Sequence, residues 1–342
     1  MIVSVANNII SPLGMSTTEN YAAVKAGQSV LRRYEGKWDL PEPFVASLVD
    51  RDKVEQAFAA LADNAKYTFF EKMIILSASR AIQEAGIDTA SERVLFILST
   101  TKGNVFLLDK RETGFSEERV LLGSAARQMT DFFHNPNPPI VVSNACISGV
   151  CAQIEAMRNL ESGCFDYVVT VGCDVQSAFI VSGFQSFKAL SPEPCKPFDA
   201  NHISGPSRTG EGSFRALKVA LGDVDPNEIA FINAHGTATM YNDEMESVAI
   251  ERAGLSQVPV NGLKGYYGHT MGAAGILESI VSMLACDKGV VLPTRGFSEL
   301  GVSRPVRVSA QEMPTQGSEF IKLLSGFGGV NGALLFRKGG AQ

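Results

Sequence analysis

The chain of 342 residues contains few of the residues that most often bind metals or form disulfides, with four histidines and six cysteines. No two cysteines form a C-x-x-C pair, so the spacing typical of a structural zinc site is absent, and we predict neither a metal site nor a cofactor. The first ten residues show no signal-peptide pattern, and we therefore expect reduced cysteines in a cytoplasmic protein. No apolar run approaches the ~20 residues needed to cross a bilayer, so we expect no membrane segment.

The sequence also lacks a run of Lys and Arg residues. Together with a formal net charge of -6, this argues against a nucleic-acid-binding surface, although a local basic patch for a small acidic partner remains compatible with the composition. Hydrophobic residues make up 45% of the chain, which is enough to bury a large core and excludes a disordered protein.

Strand and helix patterns alternate along most of the chain, which predicts an α/β fold. Predicted strands lie at residues 1–6, 93–98, 140–142, 167–171, 229–232, 258–260, 290–292, 306–308, 320–324 and 333–336. The clearest helical patterns lie at residues 17–26, 68–85, 124–133, 147–160, 214–220 and 271–285.

Cys146 stands between a predicted buried strand, residues 140–142, and the helical pattern of residues 147–160. The sulfur is therefore expected at a helix start, where unpaired backbone N–H groups and the helix dipole favour the thiolate. That field contributes only roughly 0.3 to 1 kcal/mol, so activation also requires neighbouring groups. Cys146 is a candidate nucleophile, and a buried structural cysteine is the alternative.

Two of the four histidines, His235 and His269, follow predicted strands in glycine-containing segments. Catalytic groups in open α/β sheets gather at the carboxyl ends of strands, where the sheet holds the loops. Either histidine alone is compatible with a loop hydrogen-bonding role. Three candidates at strand ends, Cys146 included, favour catalysis. The remaining histidines, His134 and His202, are predicted to be structural.

Four ordered motifs resemble those of the β-ketoacyl-acyl-carrier-protein synthases. They are Asn144-Ala145-Cys146, His235-Gly236-Thr237-Ala238-Thr239 with Asp243 and Glu246, Lys264 with Gly268-His269-Thr270, and Gly326-Phe327-Gly328-Gly329 with Asn331. Ser11-Pro12-Leu13-Gly14 resembles the amino-terminal segment of the same family, so the resemblance extends over the whole chain.

The resemblance implies a role for each catalytic residue. Cys146 would hold an acyl chain as a thioester, which divides a difficult condensation into two steps. His235 and His269 would polarise the carbonyl of a malonyl thioester and stabilise the enolate that remains after carbon dioxide leaves.

The resemblance also implies supporting residues. The backbone N–H groups of Cys146 and Phe327 would form an oxyanion hole, a kind of donor worth about 3 kcal/mol. Gly328 would let the backbone approach the acyl carbonyl while the Phe327 ring gates access. Lys264 would pair with Glu278 and organise the site, with a surface loop lysine as the alternative. Asp243 and Glu246 are expected either to hold the His235 loop or to be solvated.

The implied fold is the thiolase-like fold, with two fused α/β halves in a five-layer αβαβα core. We assign residues 1–200 to the half with the nucleophile and residues 201–342 to the half with the histidines and the glycine-rich turn. The implied partner is an acyl carrier protein that bears acyl and malonyl groups, and the implied assembly is a homodimer or a heterodimer with a ketosynthase-like chain. The residues around Cys146 differ from the Thr-Ala-Cys-Ser-Ser form common in the family, and we therefore expect a specialised pathway, such as an aryl polyene or flexirubin-type pathway.

The chain departs from the family pattern after Pro197-Phe198-Asp199. We expect a deletion of several dozen residues near the junction, which removes an edge strand of one half and a central strand of the other. The loss of a central strand would leave its neighbours without backbone partners.

Three functions are therefore compared. The favoured one is a β-ketoacyl synthase of fatty acid or polyketide-like biosynthesis, an acyltransferase that performs decarboxylative Claisen condensation. A thiolase or simple acyltransferase on the same fold is disfavoured, because a thiolase is expected to carry a second cysteine near the carboxyl terminus and the last cysteine here is Cys286. A non-catalytic chain-length partner generally lacks the nucleophile, whereas Cys146, His235 and His269 are all present.

Overall fold

A computed structural model describes residues 2–109, 114–187, 190–200, 209–239 and 241–339 of the chain. The helices are α1 Thr17–Lys25, α2 Arg51–Phe58, α3 Phe69–Ala85, α4 Leu122–Phe132, α5 Ser148–Glu161, α6 Ala178–Ser186, α7 Glu211–Leu221, α8 Asn242–Arg252, α9 Lys264–Tyr267 and α10 Ala274–Asp287. The strands are β1 Arg32–Tyr34, β2 Phe44–Ala46, β3 Val94–Ser99, β4 Ile140–Val142, β5 Tyr167–Gly172, β6 Ile229–Asn233, β7 Pro259–Asn261, β8 Val290–Val291, β9 Arg307–Val308, β10 Met313–Pro314, β11 Glu319–Gly326 and β12 Val330–Arg337.

The chain divides into two compact units. Unit 1 comprises Met1–Thr17, Arg32–Glu193 and Thr270–Ile276, and unit 2 comprises Thr18–Leu31, Pro194–His269 and Leu277–Gln342. The predicted division at residue 200 into two halves stays a prediction.

Unit 1 is built on a parallel sheet with the strand order β4-β3-β5. Alternate residues of β3 point to opposite faces: Phe96 and Leu98 pack in a cluster with side chains of α3 and α4, whereas Leu95 and Ile97 pack with Ala152 of α5. Because helices cover both faces, every residue of β3 is buried.

Unit 2 is built on a sheet with the strand order β12-β11-β6-β7-β9, parallel except for β12. Phe320 of β11 is paired with Phe231 on one side and Phe336 on the other, and their rings stack with centroids 5.2 and 4.8 Å apart. The carboxyl ends of β6, β7 and β11 meet at one edge of the sheet. The chain segments that follow them carry His235, Lys264 and Phe327.

The strand predicted at residues 1–6 is wrong, because residues 2–10 form no strand. Val3 and Val5 are 64% and 59% exposed, although their alternation is typical of a half-buried strand. A strand requires a neighbour for its backbone groups, and none pairs with this segment among the described residues.

In unit 2 the sheet is continuous over five strands with β6 at its centre, so the expected loss of backbone partners is not seen there, and which strand of the family pattern is missing stays a prediction. The sheet of unit 1 is smaller and has three strands among the described residues. In unit 2 the antiparallel strand β12 covers the edge of β11, whereas no strand covers the outer edge of β5 in the described part of unit 1. Residues 201–208, which include His202 and part of the predicted junction, lie outside the described residues.

None of the helices in the described ranges is both long enough and apolar enough to cross a membrane.

Candidate active site

Cys146 lies in the turn between β4 and α5 of unit 1, is half-buried, and forms no disulfide with the described cysteines. Ala145 before it has a positive φ of 45°, which is uncommon for a residue with a side chain. Ser148 holds this conformation, because its hydroxyl donates to the Ala145 carbonyl at 2.6 Å and accepts from the Asn144 N–H at 2.7 Å. The sequence therefore builds a sharp turn that presents Cys146 directly before a helix, as predicted.

The first turn of α5 packs against residues 272–276 at backbone distance. A Cβ on Gly149 would lie 2.9 Å from both the nitrogen and the Cα of Gly275, so no side chain fits there. Gln153 joins the two segments further, since its amide donates to the carbonyls of Gly149 at 3.0 Å and Gly275 at 3.1 Å. The helix that follows the nucleophile is thereby fixed to the segment that follows His269 in the chain.

Asp174, just after β5, is a half-buried carboxylate that was not predicted from the sequence. It accepts hydrogen bonds from the Thr100 hydroxyl at 2.8 Å, the Thr101 hydroxyl at 2.9 Å, the Lys102 N–H at 2.9 Å and the Gly272 N–H at 2.7 Å. Burial raises the pKa of Asp174, while these hydrogen bonds act in the opposite direction. Asp174 thus connects the loops at the carboxyl ends of β3 and β5 to Gly272, within unit 1.

His235 and His269 face each other in unit 2. Their ring centroids lie 5.0 Å apart, and the ring planes are at 81° to each other. His235 follows β6 and is buried, and its Nδ1 makes no hydrogen bond within the described part of the chain. His269 follows α9 and is half-buried. The two histidines predicted from the sequence are therefore adjacent, in an edge-to-face arrangement.

The two imidazoles are neutral at physiological pH. Burial, together with the positive charge of Lys264, lowers the pKa of His269 to about 3. Burial, Lys264, His269 and Lys322 together place the pKa of His235 well below its ordinary range. A neutral imidazole has one N–H to donate, so the pair supplies two hydrogen-bond donors.

Beneath the histidines, Glu278 of α10 binds two lysines, one at each carboxylate oxygen. Lys264 contacts Oε1 at 2.8 Å and Lys322 contacts Oε2. Lys264 also donates to the carbonyl of His235. All three charged side chains are almost fully buried, with exposures of 0%, 0% and 2% for Lys264, Lys322 and Glu278. The pair that the resemblance implies for Lys264 is present, and Lys264 is not a surface loop lysine.

Lys322 was missed by the sequence analysis, although a signal was present. It is the charged residue in the otherwise apolar run of residues 320–324, which was assigned to a buried strand. A lysine in such a strand requires a buried partner.

Asp243 and Glu246 of α8 hold the loop that follows His235. Glu246 accepts from the N–H groups of His235 at 2.7 Å and Gly236 at 2.8 Å, and Asp243 accepts from the Thr237 N–H at 2.9 Å. Both carboxyl groups are 0% exposed, so the alternative of solvated acids is excluded. Burial, together with the charge of Asp243, raises the pKa of Glu246 to about 7.

Phe327 lies in the turn between β11 and β12 and is 67% exposed. Gly328 and Gly329, which follow it, have φ angles of 91° and 77°, a region that favours glycine. The turn therefore needs both glycines to reverse the chain while it presents the Phe327 ring. The oxyanion and gating roles of Phe327 and Gly328 stay predictions.

The other five cysteines are free thiols. Cys173 and Cys286 are buried, and Cys164 is exposed. Burial raises the pKa of Cys151, Cys173 and Cys286, the last to about 11, which keeps these sulfurs protonated and unreactive.

Comparison with known proteins assigns the chain to a class of condensing enzymes. The β-ketoacyl synthase N-terminal domain matches residues 1–217, and the β-ketoacyl synthase C-terminal domain matches residues 196–298. The chain belongs to the β-ketoacyl synthase family, the acyltransferase-class enzymes of β-ketoacyl condensation.

Relatives of known annotation agree with this assignment. The chain is 26% identical over 416 residues to a 3-oxoacyl-[acyl-carrier-protein] synthase 2 of Vibrio cholerae, covering 98% of this chain and 99% of the relative. It is 23% identical over 338 residues to nodulation protein E of Rhizobium leguminosarum bv. trifolii, covering 79% and 82% of the two chains. Because the first alignment runs over 416 positions and this chain has 342 residues, the relative contains dozens of positions that this chain lacks. This supports the predicted deletion.

Solved structures show the same fold. A β-ketoacyl synthase from Burkholderia phymatum superposes with a TM-score of 0.83 at 22% identity, and an ishigamide ketosynthase/chain length factor superposes with a TM-score of 0.86 at 21% identity. Each covers 99% of this chain and 99% of its own chain.

Proposed function

We propose that Cys146 accepts an acyl group from an acyl carrier protein and that His235 and His269 activate a malonyl thioester for condensation with it. In the first step the Cys146 thiolate attacks the acyl thioester carbonyl. The carrier's sulfur leaves as a thiolate and takes up a proton, so the acyl group remains as a thioester on Cys146.

In the second step malonyl-acyl carrier protein loses its carboxylate as carbon dioxide. The electron pair of the broken C–C bond passes into the thioester, and the resulting enolate oxygen accepts hydrogen bonds from the two imidazoles. The enolate carbon then attacks the Cys146 thioester, a new C–C bond forms, and the Cys146 thiolate is released.

The observation that carries the proposal is the pair of facing, neutral imidazoles. An enolate oxygen carries negative charge, and two N–H donors in a water-poor site stabilise it more strongly than they stabilise the uncharged ground-state carbonyl. Lys264 binds the His235 carbonyl from below, and its ammonium group is paired with Glu278, so it orients the loop and has no proton-accepting role.

The proposed partner is an acyl carrier protein bearing acyl and malonyl groups. The Vibrio cholerae relative is named a synthase of acyl-carrier-protein thioesters, and a further structural neighbour is a ketosynthase in complex with a type II polyketide acyl carrier protein. We propose a dimer, formed with a second copy or with a ketosynthase-like chain. The aryl polyene or flexirubin-type pathway and the cytoplasmic location stay predictions.

The proposal is tested by intact-protein mass spectrometry after incubation with acyl-acyl carrier protein. We expect one acyl adduct on the wild-type chain, the same adduct on Cys151→Ala, and none on Cys146→Ala. Cys151 is a suitable control because it lies five positions further along the same segment and burial raises the pKa of its thiol.

Malonyl decarboxylation tests the second half of the proposal. Cys146→Gln should lose acyl transfer yet still release carbon dioxide from malonyl-acyl carrier protein, whereas His269→Ala should lose that release. A chain that neither takes up an acyl group nor decarboxylates malonyl thioester would instead fit the non-catalytic chain-length partner.

A further inference from the structure

We propose that Lys322 is a positioning residue of the histidine site, which fixes the end of β6 ahead of His235 and, as the second lysine paired with Glu278, adds a positive charge that opposes protonation of both imidazoles. This role rests on the proposed function of the histidines as neutral hydrogen-bond donors.

The contacts of Lys322 carry the positioning part of the inference. Its ammonium group donates to the Asn233 side-chain oxygen at 2.6 Å, to the Ala234 carbonyl at 3.2 Å and to Glu278. Asn233 and Ala234 are the two residues directly before His235. With Lys264 on the His235 carbonyl, two lysines hold three consecutive residues of the catalytic loop.

The network extends across three neighbouring strands. The Asn233 amide donates to the Asn261 side-chain oxygen at 2.8 Å, so hydrogen bonds join β7, β6 and β11 in sequence. Glu278 of α10 then joins β11 to α9. Lys322 is the member that connects the strand side of this network to the helix side.

The charges carry the electrostatic part. Lys264 and Lys322 share the single carboxylate of Glu278, which leaves one excess positive charge below the imidazoles. A positive charge in a buried site opposes protonation of a neighbouring histidine. Without Lys322 that excess disappears, and protonation of His235 and His269 becomes easier.

Titratable groups from several elements lie near His235, and Cys195 contacts the carbonyl of the following residue, Gly236. The other groups are Asp243 and Glu246 of α8, Lys264 of α9, His269 of the following loop, Glu278 of α10 and Lys322 of β11. Asp243 and Glu246 accept hydrogen bonds from backbone N–H groups of the loop, so substituting them would also disturb the loop. The net charge near the imidazoles is therefore best changed at the two lysines and Glu278.

The test is an NMR titration of the histidine imidazoles, in the full chain and without substrate. In the wild type we expect neither His235 nor His269 to titrate above pH 5. In Lys322→Gln, which keeps a hydrogen-bond donor and removes the charge, we expect an imidazole to titrate at a pH higher than in the wild type by at least about one unit, or tenfold in proton affinity. The double variant Lys322→Gln with Glu278→Gln restores the excess of one positive charge and should return the titration to that of the wild type.

Lys218→Gln is the control, since this lysine is exposed on α7, and it should titrate as the wild type does. If the role of Lys322 were only structural, folding would weaken in the single variant and more so in the double variant. The imidazole titration would then neither move in the single variant nor return in the double variant. Lys322→Met provides a second single variant if Lys322→Gln does not fold. An unchanged titration in the folded single variant would overturn the inference.

Malonyl decarboxylation gives an independent readout. The acid limb of its pH profile should move to higher pH in Lys322→Gln and return in the double variant, while KM changes less than kcat. A wild-type chain without any decarboxylation would contradict the proposed function, whereas the substrate-free titration would still decide the effect of Lys322 on the imidazoles.

Discussion

His235 and His269 lie edge to face, with their ring centroids 5.0 Å apart, and burial lowers the pKa of both. Two imidazoles this close cannot both be protonated without strong repulsion, and the lysines beneath them oppose even one protonation. The arrangement is suited to hydrogen-bond donation by neutral rings. It is poorly suited to proton transfer near pH 7, because a general acid or base works best when its pKa lies near the working pH.

The low pKa of His269 predicts a pH dependence of stability. Its pKa falls from the ordinary value of 6.5 to about 3, so between these values the unfolded chain binds a proton that the folded chain does not. Acidification therefore favours unfolding. Between pH 7 and pH 5 the wild type should lose about 2 kcal/mol relative to His269→Asn. Urea unfolding of both chains at the two pH values measures this difference, and parallel pH dependences would show that His269 is not held neutral by the fold.

Asp243 should be needed for the His235 loop to fold. It accepts hydrogen bonds from the N–H groups of Phe198, Thr237 and Ala238. In Asp243→Asn the amide NH2 replaces one acceptor oxygen and leaves a backbone N–H without an acceptor. We therefore expect the free energy of unfolding to fall by about 2 kcal/mol. Asp223→Asn, at an exposed position, is the matched control and should change it little. Equal stability of the two variants would contradict the assigned role of Asp243.

Gly149 should tolerate no side chain. In Gly149→Ala the new Cβ would lie 2.9 Å from backbone atoms of Gly275, and neither segment can move cheaply. We expect a loss of about 1–3 kcal/mol, measured by chemical unfolding. Gly183→Ala is the control: it also lies inside a helix, but a Cβ there meets nothing within 4 Å, so it should be neutral or stabilising. A Gly149→Ala chain as stable as Gly183→Ala would mean that the close approach is absent.

Ser148 should matter for acyl transfer more than for folding. Ser148→Ala removes the two hydrogen bonds that hold the turn around Ala145 and Cys146. We expect kcat/KM for Cys146 acylation to fall about tenfold, equivalent to about 1.4 kcal/mol of transition-state stabilisation. The control is Ser182→Ala, whose hydroxyl bonds only to the Phe179 carbonyl of its own helix. The acylation rates of the two variants should therefore differ; identical rates would exclude a positioning role for Ser148.

Local features around the candidate residues were easier to predict from the sequence than the pairing of the strands. The strand-to-helix turn at Cys146 and the histidines after β6 and α9 follow from local patterns of apolar residues and glycine, and local patterns are what a single sequence shows directly. Lys322 and Asp174 were missed because their partners come from distant parts of the chain. Lys322 binds Glu278, and Asp174 binds Gly272, which lies 98 residues away.

The sheets depended on long-range pairing for the same reason. Residues 1–6 have the alternation of a strand, but a strand forms only where a neighbour accepts its hydrogen bonds. The predicted deletion was located by comparison with the family motif, which does not show which strands remain. The five-stranded sheet that contains β6 and the three-stranded sheet that contains β3 are seen only from the strand pairings.

The central claim is that this chain forms a carbon–carbon bond through Cys146 with the help of the histidine pair. The most direct measurement is mass-spectrometric detection of β-ketoacyl-acyl carrier protein after the wild-type chain is mixed with acyl- and malonyl-acyl carrier protein. We predict a product two carbons longer than the acyl group supplied, made by the wild type and Cys151→Ala and absent with Cys146→Ala or His269→Ala. Condensation by Cys146→Ala would contradict the central claim. So would an absence of product with the wild type, provided that another synthase extends the same carrier proteins.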